Sequence, residues 1–315
     1  PTYYGVCSDL EKIARMVHDK GKLLLVDEAH GSHFVFHRSL PISAMEAGAD
    51  MAAQSTHKTL PSMTGSSMLH VKGERVDIEK LKFFLQLVQT TSPSHVMLAS
   101  LDAARYIMEN YGHRLLDDCI KYSNKVRKEI NDKTSFYCLG ADKKDSFGIH
   151  DIDPTRITVN LKGGGISGIK GEEILRSEYN IQVEMSDICN IVAITSVADD
   201  EASYMRLLEA ISDMDRWSRK ENIGCNQAKP PNSIPVCLMP PHEALYHEVE
   251  SIEVEKSQGR ISAEMAVPYP PGIPVIMPGE QISRDVIDYL RQCTDIGIKV
   301  SGVLDPEFKN IKVIK

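Results

Sequence analysis

Two short polar stretches, each directly after an apolar run, carry the residues best suited to chemistry. Asp27-Glu28-Ala29-His30 follows the apolar residues 23–26, and Ser55-Thr56-His57-Lys58 follows the apolar residues 49–53. Such runs predict buried parallel strands, whose carboxyl ends meet at the edge where open α/β sheets bind ligands. A carboxylate and a lysine at neighbouring strand ends suit pyridoxal phosphate (PLP), because a lysine forms a Schiff base with its aldehyde and an acid pairs with its pyridinium nitrogen.

Lys58 and Asp27 each have a simpler interpretation. An isolated lysine is usually a solvated surface residue, but Lys58 follows hydroxyl side chains and an imidazole at the end of an apolar run. Those hydroxyls are useful for holding a phosphate. A strand-end aspartate often caps a helix or binds Mg²⁺ in a Walker-B strand, but the sequence has no GxxxxGK[ST] loop. The pair therefore favours a PLP site.

The residues after Asp27 also fit the face of a PLP ring. Ala29 would lie under the ring plane, where a larger side chain would clash, and His30 could hydrogen-bond the phenolate oxygen of the ring. His30, His33 and His37 together offer the alternative of a zinc site. The HxxH spacing outside a helix is a weak signal for zinc, so no metal site is predicted.

A glycine-rich stretch offers a rival interpretation. Gly163-Gly164-Gly165-Ile166-Ser167-Gly168 matches GxGxxG, and Glu184 ends the next predicted strand. A loop of this kind between a strand and a helix could hold a dinucleotide pyrophosphate at the helix N-terminus. The pattern is weak by itself, and four glycines in six residues also describe a flexible turn. The plain loop is the favoured interpretation.

A hydroxyl cluster, Thr90-Thr91-Ser92-Pro93-Ser94, lies between two predicted helices. Serine and threonine are common at the first position of a helix, where the side chain accepts a hydrogen bond from a backbone N–H. The cluster is therefore predicted to cap the second helix, and its hydroxyls could also reach a phosphate.

Helices and strands alternate over the first part of the chain, as in an open α/β sheet. The predicted elements are a helix started by a capping box of Ser8 and Glu11, strands over 22–27, 50–54 and 66–71, a short crossover helix through 42–47, and helices over 74–89 and 95–133 with a break near Gly112. This order places Asp27 and Lys58 at strand ends.

A second α/β segment and a final α+β segment follow. The predicted elements are a strand over 156–161, a helix over 171–179, strands near 181–185 and 190–196, a helix over 199–220, a polar linker over 222–235, and a helix after Ser283. The proline-rich residues 268–274 are expected to be too stiff for regular structure. The predicted domains are therefore 1–112, 113–221 and 236–315.

Composition excludes several classes of protein. The 315 residues are 42% hydrophobic and 25% charged, as in ordinary globular proteins, and the net charge of −8 disfavours nucleic acid and anionic membranes as partners. No apolar run approaches the length of a transmembrane helix, and the start shows no signal peptide. The seven cysteines form no CxxC pair and are expected to be reduced thiols, which favours the cytoplasm.

These motifs together resemble the bacterial ornithine/lysine/arginine decarboxylases. The resemblance is carried by Pro1-Thr2-Tyr3-Tyr4-Gly5, the two stretches around Asp27 and Lys58, the hydroxyl cluster at 90–94, the proline-rich residues 268–274, and Met277-Pro278-Gly279-Glu280. It spans the chain to about Gln292 and is closest to the short biosynthetic arginine decarboxylases. These separated motifs stand in the family's order, which makes the resemblance specific.

The resemblance implies a fold and a set of roles. It implies a partial PLP fold type I large domain with a mostly parallel sheet, then a smaller α/β domain and a C-terminal α+β domain. Lys58 would form the Schiff base and Asp27 would pair with the pyridinium nitrogen, with Ala29 and His30 at the ring. Ser55 and His57 would bind the phosphate, and Thr91 or Ser92 would reach the phosphate of a neighbouring subunit in a dimer or larger homo-oligomer.

The resemblance also implies an activity and an incomplete site. The activity would be decarboxylation of arginine, or of lysine or ornithine, with Glu184, Asp187 or Glu280 as carboxylates that read the substrate side chain. In the family a long segment with the ring-stacking histidine precedes the first motif. The chain is therefore expected to be a C-terminal fragment or to need a separate N-terminal half. An aminotransferase and an inactive fragment are the alternatives.

Overall fold

A computed structural model describes residues 1–221, 228–269 and 272–315. The chain forms two compact units. Unit 1 comprises Pro1–Val159 and Val192–Asp213, and unit 2 comprises Asn160–Ile191 and Met214–Lys315. Both contain helices and strands, which confirms the α/β class. The domain borders predicted from the sequence stay predictions.

The helices differ widely in length. In chain order they are α1 (Leu10–His18), α2 (Thr56–Thr59), α3 (Ile78–Val88), α4 (His95–Lys133), α5 (Gly168–Tyr179), α6 (Glu201–Glu221), α7 (Pro241–Ala244) and α8 (Arg284–Asp295). Within the described residues, every helix lacks either the length or the apolar character needed to span a bilayer.

The strands are short. They are β1 (Val6–Cys7), β2 (Leu25–Asp27), β3 (Met51–Gln54), β4 (Met68–Val71), β5 (Tyr137–Cys138), β6 (Asp151–Ile152), β7 (Arg156–Asn160), β8 (Met185–Ser186), β9 (Asn190–Ile194), β10 (Val249–Glu253), β11 (Val267–Tyr269), β12 (Lys299–Ser301) and β13 (Asn310–Ile314). The larger sheets have the orders β2-β3-β4 and β5-β7-β9-β8.

The sheet β2-β3-β4 carries both polar stretches. β2 and β3 are parallel, as predicted, with Asp27 paired to Ala53, and β4 runs antiparallel to β3. The prediction that residues 23–26 are buried is wrong, because β2 is an edge strand and Leu25 is 58% exposed.

The crossover between β2 and β3 contains no helix over 42–47, contrary to the prediction. It is a series of turns, with one helix-like bond from the N–H of Ala47 to the carbonyl of Ser43. Gly48 then adopts φ +96°, a left-handed conformation that ends any helical turn. This glycine stops the turn from extending into a helix, which apolar periodicity alone does not predict.

Two helix predictions need correction. Asp9, not Ser8, caps α1, because its carboxylate accepts the N–H of Lys12 at 2.9 Å. The break predicted near Gly112 is absent, and α4 continues through it. A Cβ at Gly112 would lie 3.4 Å from Cβ of Phe36 and 3.0 Å from Cε of Met108. This glycine therefore serves close packing of α4 against the Phe34–Phe36 turn.

The core of unit 1 surrounds the segment that follows β2. Its main buried cluster is Cys7, Phe34, Leu40, Leu60, Met108 and Leu116, and a smaller one joins Ala44, Ala49 and Ala52. These apolar contacts stabilise the loops that leave β2 and β3, since each buried aliphatic or aromatic side chain contributes about 1.5–3 kcal/mol.

The glycine-rich stretch and the C-terminal segment lie in unit 2. α5 begins at Gly168, not at 171, and a Cβ there would lie 2.1 Å from the carbonyl oxygen of Asn190. Ser167 caps the helix through the N–H of Lys170. Both observations favour the plain-loop interpretation over dinucleotide binding. The predicted strands near 181–185 and 190–196 are shorter, as β8 and β9.

The C-terminal segment of unit 2 has its own core. The buried residues include Val254, Ile276, Leu290 and Phe308, contributed by strands and by α8. The expectation that residues 268–274 form no regular structure is wrong at its start, since Pro268 lies in β11. Within the described part of the chain, β11 pairs with β12 alone. An edge position tolerates the missing N–H of proline. Residues 270–271 of that stretch lie outside the described residues.

The linker and cysteine predictions are tested in part. Residues 228–235 form neither helix nor strand, and residues 222–227 lie outside the described residues. The six described cysteines are free thiols, and Cys225 falls outside the described range. Five of the six are buried.

Candidate active site

The parallel pairing of β2 and β3 brings the two polar stretches to one sheet edge. Asp27 is the last residue of β2, and the N–H of Glu28 still donates to the carbonyl of Ala53 at 2.9 Å. β3 ends at Gln54, and the short helix α2 that follows carries Lys58. The predicted convergence of these two strand ends is therefore observed.

Lys58 is half-buried and faces an imidazole. Its Nζ lies 3.2 Å from Nε2 of His30 and 5.5 Å from the centre of the Tyr3 ring. The Tyr3 and His30 rings are themselves 4.4 Å apart. The lysine amine is thus held between a nitrogen and an aromatic face.

His30 is buried and neutral. Its second ring nitrogen, Nδ1, lies 3.3 Å from Nη2 of Arg156, which also donates to the His30 carbonyl at 3.2 Å. Burial, and after it the positive charges of Arg156 and Lys58, lower the pKa of His30 to about 3. The imidazole therefore carries one proton at neutral pH.

Arg156 is fixed by a buried carboxylate. Asp153 accepts hydrogen bonds from the backbone N–H and hydroxyl of Thr155, and its other oxygen lies 3.6 Å from Nε of Arg156 and 3.2 Å from Nε2 of His33. Burial alone would raise the pKa of Asp153, but the neighbouring groups, His33 first, hold it below its ordinary value. We call Tyr3, His30, Lys58, Asp153 and Arg156 the His30 cluster.

Glu28 anchors the chain as it leaves β2. It is fully buried, and its two oxygens accept hydrogen bonds from the N–H of Ala44 and the amide of Gln54, each at 2.7 Å. Burial raises the pKa of Glu28, although both hydrogen bonds oppose that shift. Glu28 therefore fixes the backbone from which Asp27 and His30 project.

Asp27 is exposed at the strand end. Its Oδ1 accepts the N–H of Ala29 at 2.9 Å, which turns the chain directly after β2. The half-buried Ala29 thus lies in that turn. Asp27 also lines a cavity of about 440 Å³ with Glu28 and Phe34, and Lys58 is not among its lining residues.

Ser55 and His57, which precede Lys58, differ in the hydrogen bonds that they can make to a ligand. Ser55 is half-buried at the start of α2, and its hydroxyl does not cap that helix. Nδ1 of His57 lies 2.8 Å from the carbonyl oxygen of Ser66, so that nitrogen must carry a proton. His57 can then donate from Nε2 only as an imidazolium.

The hydroxyl cluster lies apart from Lys58. Thr91 and Ser92 are exposed in the loop between α3 and α4, and neither is within hydrogen-bonding distance of Lys58. Ser94 caps α4 by accepting the N–H of Met97 at 3.3 Å, which confirms the capping prediction. Unit 1 therefore does not bring Thr91 or Ser92 to the other predicted site residues.

The three histidines of the zinc alternative diverge. His30 binds Lys58 and Arg156, His33 contacts Thr155 and Asp153, and His37 binds Asp117 at 3.0 Å. His37 and Asp117 do form, with His113, a group whose ligand atoms lie within 4.8 Å. In that group Nδ1 of His37 accepts the N–H of Ser39, so Nε2 holds the proton and is occupied by Asp117.

Comparison with known proteins assigns the chain to a family. Residues 1–203 match the model of the major domain of the Orn/Lys/Arg decarboxylases. The chain belongs to the Orn/Lys/Arg decarboxylase family. Residues 227–309 match the C-terminal domain of the same family.

Relatives of known name agree with this assignment. An arginine decarboxylase of Bacillus anthracis is 40% identical over the whole chain, and one of Bacillus subtilis is 38% identical. The chain spans 64% of the length of each of these relatives. The lysine decarboxylase structure of Francisella novicida superposes with a TM-score of 0.79 at 23% identity, covering all of this chain and 56% of that one. This last likeness shows a shared fold.

Sequence reasoning missed Tyr3, Glu28, Asp153 and Arg156 as site residues. Arg156 and Asp153 lie far from Lys58 in the sequence, so spacing could not connect them. One signal was present, because Arg156 opens the apolar strand β7, whose first four residues are all buried. A buried arginine needs a partner, and that need could have pointed to the neighbouring aspartate.

Proposed function

We propose that the protein acts in PLP-dependent decarboxylation of a basic amino acid, with arginine favoured over lysine and ornithine. The observation that carries this proposal is the half-buried Lys58 amine, which faces the neutral His30 at the sheet edge that also carries Asp27. Membership of the decarboxylase family and the identity to proteins named arginine decarboxylase support it.

The residues at this edge fit PLP by their chemistry. Lys58 offers a primary amine to an aldehyde, and the exposed carboxylate of Asp27 offers a partner for a pyridinium nitrogen. Ser55 has a hydroxyl that is not used to cap α2. When bound, PLP supplies an electron sink for the pair of electrons released from the substrate Cα.

The chain's own residues would orient PLP and the substrate and would hold or move protons. Asp27 would keep the pyridine nitrogen protonated, and Ala29 would leave room beside the ring. His30 would donate a hydrogen bond at the ring edge or to Lys58. Ser55, and His57 as an imidazolium, would bind the phosphate. In this proposal Lys58 also returns a proton and releases the amine product.

Three carboxylates of the protein are candidates for binding the substrate side chain, and they differ in what they already contact. Both oxygens of Asp187 bind Asn190, and Glu280 binds the backbone N–H of Met277 within its own turn. Glu184 is exposed. All three carboxylates lie in unit 2, and which of them reads the substrate side chain stays a prediction.

We further propose a cytoplasmic homo-oligomer with fold type I architecture. The support for association is α3, which has no buried residue among its eleven and carries the half-exposed Phe83 and Phe84. In such an assembly Thr91 or Ser92 would reach a neighbouring subunit's phosphate.

The test measures release of labelled CO₂ from carboxyl-labelled arginine, lysine and ornithine, with PLP added. We expect release from arginine first, with none in Lys58→Ala. The matched control is Lys20→Ala, at an exposed lysine after α1. Transfer of the amino group without CO₂ would support the aminotransferase alternative. PLP binding that is unaffected by Lys58→Ala would contradict the proposal.

A further inference from the structure

We propose that Arg156 is a positioning residue that fixes the tautomer of His30, so that the imidazole presents its Nε2–H to the side-chain nitrogen of Lys58. The role given to Lys58 rests on the proposed function, whereas the tautomer itself does not. Three sets of contacts within and around the His30 cluster support this role.

The first contact decides where the proton of His30 lies. A guanidinium has only donors and stays charged. Nη2 of Arg156 lies 3.3 Å from Nδ1 of His30, so that nitrogen must be the acceptor. The single proton of the neutral ring is therefore on Nε2. The bond from the same Nη2 to the His30 carbonyl holds the guanidinium in place.

The second contact links the tautomer of His30 to Lys58. Nε2 of His30 lies 3.2 Å from Nζ of Lys58, and an N–H can donate only to a nitrogen with a lone pair. An uncharged amine has that lone pair and an ammonium does not. The Nε2–H of His30 is therefore placed to donate to the side-chain nitrogen of Lys58, a role that the other tautomer could not fill. The opposite tautomer would aim a His30 N–H at the Arg156 guanidinium.

The third set of contacts explains why Arg156 cannot turn away. Asp153 faces its Nε at 3.6 Å, and the Arg127 guanidinium donates to the Arg156 carbonyl at 2.7 Å. Gly5, at φ +85°, leaves the space that the arginine stem occupies, since a Cβ there would lie 2.8 Å from Cβ and Cγ of Arg156. The Tyr3 ring also faces His30, and the N-terminal amine and the exposed Asp27 act on His30 through their charges.

The direct test is ¹⁵N NMR of the whole chain labelled at histidine, without PLP. Long-range ¹H–¹⁵N correlations distinguish the two tautomers, and the His30 signals are those lost in His30→Asn. We expect the Nε2–H form in the unmodified chain and a mixture in Arg156→Met. Arg156→Lys, which keeps a cationic donor, should retain the Nε2–H form. The Nδ1–H form in the unmodified chain would overturn the inference even if every variant failed to fold.

The second readout is the reactivity of Lys58. Competitive labelling with acetic anhydride, mapped by mass spectrometry against the exposed Lys20, reports the uncharged fraction of each amine. We expect Arg156→Met to slow labelling of Lys58 about fivefold, the ratio that one hydrogen bond between uncharged groups supports. Arg105→Met, which removes an exposed arginine of α4, should leave the ratio unchanged. An unchanged ratio in Arg156→Met would contradict the inference.

The two proposals fail separately. An Nε2–H tautomer without any PLP binding at Lys58 would leave the positioning role of Arg156 intact and remove the proposed function. PLP binding at Lys58 together with an Nδ1–H tautomer of His30 would support the proposed function and remove the positioning role of Arg156.

Discussion

The His30 cluster and the α3–α4 region, residues 78–98, sit in the same unit but are built in opposite ways. The side chains of the cluster contact one another across separations of up to 126 residues of sequence. In contrast, α3 buries no residue, and Thr91 and Ser92 are exposed beyond it. The His30 cluster is therefore suited to chemistry that requires a defined proton position. The α3–α4 region is instead an exposed surface suited to association.

Asp153→Ala should give the largest loss of stability, because it leaves Arg156 and His33 without their buried carboxylate. We expect the free energy of unfolding in urea to fall by about 3–5 kcal/mol. The control is Asp102→Ala, since Asp102 pairs with Arg105 on the exposed surface of α4. That change should cost about 0–1 kcal/mol. Equal losses in both variants would show that the cluster is not a stabilising network.

Glu28→Ala should give the next largest effect. It leaves the N–H of Ala44 and the amide of Gln54 without an acceptor in the interior. We expect a loss of about 2–3 kcal/mol in the same urea experiment. The exposed Glu11 of α1 supplies the control, Glu11→Ala, with almost no change expected. A loss below about 1 kcal/mol for Glu28→Ala would mean that water reaches these groups.

Asp50→Asn should alter the acid dependence of stability. Asp50 accepts the Leu24 N–H and contacts Nε2 of His18, each at 2.8 Å. Although burial alone would raise the pKa of Asp50, these two bonds lower it. The stabilisation is thus complete above the unfolded pKa of about 3.9 and is lost as the pH falls through the lower folded value.

The variant should therefore lose about 1 kcal/mol at neutral pH and less as the pH falls below about 4. Unfolding free energies measured across that range would show the two curves converging. Asp132→Asn, at an exposed position of α4, is the control and should run parallel to the unmodified chain. Parallel curves for Asp50→Asn would contradict the assignment.

Phe84→Ala should give the smallest effect, because Phe84 is 51% exposed on α3. We expect a change within about 0.5 kcal/mol, against about 3–5 kcal/mol for Phe34→Ala in the core of unit 1. Sedimentation velocity then tests the proposed association, which Phe84→Ala should weaken. A large loss of stability for Phe84→Ala in the monomeric chain would remove the contrast between the two regions.

The sequence predicted local features well. The apolar runs located β2 and β3, the residues at their ends were correctly expected at one sheet edge, and Ser94 was correctly expected to cap α4. Each of these depends on residues close in sequence, where periodicity and capping preferences act.

The wrong predictions concern positions whose structure is determined by contacts beyond their immediate sequence neighbours. Gly112 suggested a break, but packing against Phe36 keeps α4 continuous. The crossover was expected to be helical, but Gly48 at φ +96° ends its single helix-like turn. Arg156 and Tyr3 could not be connected with Lys58 because no sequence pattern links them. The roles of Ala29, Ser55, His57, Thr91 and Ser92 toward PLP stay predictions.

Lys58 is central to the proposed function as the amine that reacts with PLP. The most direct measurement incubates the chain with PLP, reduces it with borohydride, and maps the pyridoxyl group by peptide mass spectrometry. We expect modification of Lys58 well ahead of exposed lysines such as Lys20. Modification spread evenly over surface lysines, with Lys58 unmodified, would contradict this role.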